Sequence, residues 1–166
     1  MSEKFEANIA TQKRIDIVQI LAMFDAIGIK HCNMQVIDNW NYENLQHIKK
    51  TKNFQIDLLV ESEKIVIIDG SSNNGNCGAF VSKNNSQYEY DVWFSKELIN
   101  RLLGNKAAEN RELVYDWISE IILKNFGKDN IIYCAIGVEM FISQDDKLYD
   151  KVKNSINVER WILSKD

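Results

Sequence analysis

From Phe54 to Phe94 the apolar residues recur at every second position or in short unbroken runs, and from Ser95 to Phe126 they recur at three and four. Side chains alternate across a strand and stack every 3.6 residues along a helix, so this change of period divides strands from helices. The run Ile65-Val66-Ile67-Ile68 puts four β-branched residues in a row, as in a central strand buried on both faces. Residues 131–142 are apolar on both faces in the same way. Phe54, Ile56, Leu58 and Val60 alternate with Gln55, Asp57 and Leu59, which predicts a strand over 54–60, joined to the next by the polar turn 61–64. Residues 79–83 and 87–94 read as a hairpin around Asn84-Asn85-Ser86. Residues 31–38 read as a further strand and 158–163 as an edge strand.

The helical expectations rest on spacing and caps. Ile17, Ile20, Leu21 and Phe24 stack within a predicted helix over 10–27, closed by Gly28. Ser95 caps a short helix to Leu103, and Gly104 ends it. A longer helix over 107–126 carries Leu113, Val114, Trp117, Ile118, Ile121 and Ile122, with Leu113, Trp117 and Ile121 expected to meet the sheet. Ser143 opens a last helix with Leu148, Tyr149, Val152 and Ile156 inward. The polar stretches 39–53 and 70–78 read as loops. Strands in series followed by helices predict an α+β fold. The expected form is one domain over 1–166, a single mixed sheet of about five to six strands with helices packed on it.

Composition narrows the function classes. With 45% apolar and 27% charged residues, the chain has a globular balance. No apolar run reaches the roughly 18 residues of a membrane helix, and Met1-Ser2-Glu3-Lys4-Phe5-Glu6 lacks the basic-then-apolar order of a secretory signal. The net charge of −4 argues against nucleic-acid binding by bulk charge. Three distant cysteines, Cys32, Cys77 and Cys134, do not form an even disulfide framework and predict reduced thiols in a cytoplasm. Abundant Ile, Asn and Lys with no proline point to an A/T-rich microbial, parasite or viral genome.

Few residue patterns carry chemistry. The stretch 70–78 lacks the Gly-Lys-Ser/Thr ending of a phosphate loop. His31 and His47 have no partner at zinc spacing, Cys134 reads as a small core residue, and Lys49 to Lys52 as a solvated basic run. The stretch from Gln55 to Ser71 resembles the central hairpin of the restriction-endonuclease-like, PD-(D/E)xK, superfamily. Asp57 stands at its first acidic position and Asp69 at its second, while Ser71 replaces the lysine. The resemblance implies a Mg²⁺-dependent nuclease, or an inactive relative, using Asp57 and Asp69; a hydroxyl cannot supply the missing cation. The strand 87–94 offers another reading. With Tyr88, Tyr90, Val92 and Phe94 inward, Glu89, Asp91 and Trp93 face outward, an acidic pair beside an aromatic anchor that suits a basic protein. The expected function is therefore a non-catalytic, cofactor-free binding module of the bacterial immunity or antitoxin type, neutralising a basic toxin domain in the cytoplasm. The metal-dependent nuclease is the alternative.

Overall fold

Phe5, Ala7 and Ile9 alternate with Lys4, Glu6 and Asn8, and in the computed structural model they form the first strand, β1 (Lys4–Thr11). The structure describes residues 3–38, 41–48, 52–141 and 156–163. After β1 come α1 (Ile17–Ala26), β2 (Cys32–Asp38), β3 (Asn41–Ile48), α2 (Asn53–Glu61), β4 (Ile65–Ser72), β5 (Gly75–Asn84) and β6 (Gln87–Ser95). Then follow α3 (Lys96–Leu103), a 3-10 turn (Ala107–Glu109), α4 (Arg111–Phe126), β7 (Ile131–Phe141) and β8 (Ile156–Leu163). The strands form one eight-stranded sheet in the order β3-β2-β4-β5-β6-β1-β7-β8. Every pairing is antiparallel.

The α+β class stands, with corrections to the sheet. It is antiparallel rather than mixed and has eight strands rather than five or six. Two strands stand where none was expected, β1 and, within the loop expected over 39–53, β3. β1 lies mostly before the helix expected over 10–27, overlapping it only at Ala10 and Thr11, and that helix begins at Ile17. β3 is a polar edge strand, where one side of the ladder faces no neighbour and apolar alternation is not required. The strand expected over 54–60 is the helix α2. Its apolar residues fit both periods, but Ile56 and Val60, one turn apart, are the ones buried. The loop expected over 70–78 is mostly strand, because β4 and β5 pair through Ser72 and Gly75. The helix expected from Ser143 lies outside the described residues over 143–155, and Ile156 belongs to β8 instead.

Among the described residues the helices α1 to α4 sit on one face of the sheet, since a single buried cluster joins them to it. Ile17, Ile20, Met23 and Phe24 of α1, Ile56 and Val60 of α2, Leu98 and Ile99 of α3, and Val114, Ile118, Ile122 and Phe126 of α4 meet Phe5, Ile9, Val66, Ile68, Val92, Phe94 and Ile136 of the strands. Fully burying side chains of this size contributes about 1.5–3 kcal/mol each before entropy. Leu113, expected inward, is 41% exposed, and Trp117 and Ile121 only border the core. The apolar stripe of α4 is wide enough to allow several inward faces, and Val114, Ile118 and Ile122 take the core. Two further clusters, Ile37 with Ile65 and Ile67, and Ala10 with Tyr133 and Ala135, lie on the opposite face. The caps follow the sequence: Ser95 Oγ accepts from Leu98 N, and Asn110 Oδ1 accepts from Leu113 N, at 3.3 Å each. Gly104 and Gly127 end their helices at positive φ, 116° and 80°.

Candidate functional site: an acidic sheet face and a polar cluster

Register places the residues opposite the helices in rows. Trp93 of β6 lies between Gly78 of β5 and Glu6 of β1, while Asp91 lies between Phe80 and Asn8. Glu89 pairs with Ser82 and Ala10. Strand alternation therefore gathers Glu6, Glu89 and Asp91 on one face. Glu89 and Asp91 share a face as expected, but all three are half-buried rather than fully outward. Trp93 differs from expectation: it shares this face but is only 9% exposed. Its indole lies over the backbone of β5, where a Cβ on Gly78 would come within 2.7 Å of the ring. Lys4 Nζ, on the neighbouring strand β1, sits 4.1 Å from the ring centroid. Trp93 is thus a packing residue as well as a marker of this face.

The electrostatics of the face are unfavourable in the free chain. Burial pushes the Asp91 carboxyl up from 3.8 to about 7, repulsion from Glu6 and Glu89 adds to it, and Lys4 opposes it. Asp91 Oδ1 is buried without a hydrogen-bond partner among the described residues. Burial also raises Glu6, opposed by a 2.8 Å bond accepted from Met140 N and by Lys4. On the same face Tyr133 Oη donates to Asn8 Oδ1 at 3.4 Å. Glu6, Lys4 and Asn8 escaped the sequence reading because β1 did; the alternation Lys4-Phe5-Glu6-Ala7-Asn8-Ile9 was the available signal.

Asp57 and Asp69 are not brought together. Asp57 is on α2, not on a strand, and is 6% exposed. Its Oδ1 accepts from Ile17 N at 2.8 Å, holding an otherwise unpaired amide at the start of α1. Burial raises its carboxyl, and the Ile17 bond partly offsets this. Asp69 is an exposed residue of β4 that pairs with Asn33 and Gly78, on the face away from the helices. The sheet separates the two carboxylates, so they do not fit a shared Mg²⁺, and no step through such an ion follows. Among the described residues no three His, Cys, Asp or Glu side chains are grouped to hold a metal.

The best-formed polar cluster joins α1, α2 and the β5–β6 hairpin. Glu61 accepts from Tyr88 Oη at 2.7 Å, Arg14 Nη1 at 2.8 Å and Lys83 Nζ at 2.9 Å. The Tyr88 and Lys83 bonds hold its carboxyl below the usual range. Glu61 is the common acceptor, and Arg14 also bonds Asp16, so the cluster ties the segment before α1 to the end of α2 and to the hairpin. The histidines are exposed, with His47 Nδ1 3.3 Å from Gln35 Nε2. The cysteines are free, and burial raises all three thiols, Cys77 to about 12, the reverse of what a nucleophile needs. No family model, curated protein or solved structure matches the chain.

Proposed function

We propose that the chain is a non-catalytic protein-binding module of the bacterial immunity or antitoxin type, which neutralises a basic toxin domain in the cytoplasm by direct contact. The gathering of Glu6, Glu89 and Asp91 on one sheet face carries this reading. Like-charged carboxylates brought out of water repel one another and raise each other's proton affinity, as Asp91 does. Local arrangements that cost the free molecule stability concentrate at functional sites. A cationic partner relieves this one, turning a cost in the free chain into attraction in the complex. The net charge of −4 adds long-range steering of the same sign.

The test is affinity capture from the source organism with the native chain and with a Glu6→Lys/Glu89→Lys variant. A basic protein retained by the first and lost by the second supports the proposal. Retention of the same partners by both, with the variant folded, overturns it. With a partner in hand, charge reversal slows association and flattens its salt dependence far more than it speeds dissociation.

A further inference from the structure

The most exposed large apolar side chains among the described residues share one pair of helices: Phe54 is 59% exposed, Leu58 57% and Val18 53%. Phe54 and Leu58 lie one turn apart on α2 and so stand side by side. The bond from Ile17 N to Asp57 Oδ1 sets the first turn of α1 against the middle of α2, and Val18 directly follows it. The remaining exposed positions over 17–24 and 53–60 are Gln19, Ala22 and Gln55, so the stretch around the three side chains is uncharged, bordered by Asp25 near the end of α1 and by Lys52 and Glu61 at the ends of α2. Single exposed apolar residues are ordinary, but neighbouring ones on an uncharged surface mark a contact site.

The charges at the ends of α2 indicate what covers it. Lys52 directly precedes the helix and Glu61 ends it, with no acidic residue in the first turn and no basic residue in the last. Lys52 opposes the dipole of its own helix, whereas Glu61 is already held by Arg14, Lys83 and Tyr88, so the acidic group exposed beyond that end is Glu63. We infer that α2, flanked by α1, is the contact of a two-fold homodimer. An axis crossing α2 near Ile56 sets Phe54 of one copy against Leu58 of the other. It also runs the two helices antiparallel, so that each Lys52 approaches the carbonyl end of the opposite α2, near Glu63. The same patch then serves both copies, as a two-fold contact requires. Copies carrying a net charge of −4 repel on average, and an uncharged face is where they can meet. This inference is independent of the toxin-binding proposal, which concerns the opposite face of the sheet.

Sedimentation velocity over about 1–300 μM tests it, with a dissociation constant on the order of 10 μM expected for so small a contact. Phe54→Gln/Leu58→Gln raises that constant at least about tenfold with an unchanged melting curve, because both side chains are exposed. Leu113→Gln, at an exposed apolar position on α4, leaves it unchanged. Lys52→Glu weakens the dimer and Lys52→Glu/Glu63→Lys restores it. In a Cys32→Ser background, Gln55→Cys near the axis forms an interchain disulfide under mild oxidation, and Asn105→Cys does not. A chain that stays monomeric throughout the range, or a dimer indifferent to Phe54→Gln/Leu58→Gln, overturns the inference.

Discussion

Asp91 shows how one residue can record a conflict that the fold imposes. Its carboxyl is raised to about 7 in the folded chain against about 3.9 in an unfolded one. Between those values the folded state binds more protons, so stability falls as pH rises from about 4 to 7, and the full penalty is present above pH 7. Asp91→Asn removes the charge, so the variant is more stable than the native chain above pH 7. The gap closes toward pH 4. A rise of this size corresponds to roughly 4 kcal/mol at most, and the measured gain at pH 8 is expected near 1–3 kcal/mol. Urea titrations of both proteins at pH 4 and pH 8 check it; equal gaps at the two pH values would refute the assignment. Burial raises Asp57 in the same direction, but its Oδ1 satisfies a helix amide whereas Asp91 Oδ1 has no partner among the described residues, so removing the Asp57 side chain is costly. Asp57→Ala should cost about 1–2 kcal/mol and lower the melting temperature, whatever nucleic acid or metal is added.

Among the elements, α2 and α4 show what periodicity can and cannot say. Over 53–61 the apolar positions satisfy a period of two and a period near four together, and packing decides for the helix by burying Ile56 and Val60. In α4 the apolar stripe is broad enough to allow several inward faces, and Val114, Ile118 and Ile122 take the core while Leu113 stays 41% exposed. Ile118→Ala should therefore cost about 2–5 kcal/mol, whereas Leu113→Ala should change stability by less than about 0.5 kcal/mol. Equal costs in equilibrium denaturation would mean that the helix is rotated. In the central strands, Gly78→Ala drives a methyl group into the Trp93 ring, whose nearest atom would be 2.7 Å away. It should shift the tryptophan fluorescence and destabilise the fold by about 1–3 kcal/mol.

Across the whole molecule the two faces of the sheet have different chemistry. One carries the helices and a continuous apolar core. The other carries Glu6, Glu89 and Asp91 with Lys4 over Trp93. Charge on the second face can change without opening the first, so Glu6→Lys and Glu89→Lys should leave the far-UV spectrum intact while removing mutual repulsion. If the acidic face binds a cationic protein, these variants associate more slowly, and added salt slows the native chain toward their rate. A rate independent of salt for the native chain would argue that the contact lies elsewhere.

The α+β class, the strands β2, β4, β6 and β7, and the capped helices α3 and α4 were legible in the sequence, because each rests on local causes. β-branched runs, alternation, Ser95, and the glycines at 104 and 127 act within a few residues of themselves. So was the sharing of one face by Glu89 and Asp91, which strand alternation fixes by itself. Other features depend on neighbours distant in sequence. β1 is a strand because β6 and β7 pair with it on either side, and α2 is a helix because the sheet buries one of its faces. Glu6 joins the acidic face only through that pairing, and Trp93 is covered because Gly78 and Lys4 meet it there. Asp57 and Asp69, twelve residues apart in the chain, end on opposite sides of the sheet. The helix that carries one packs on a single face, and the strand that carries the other points it away.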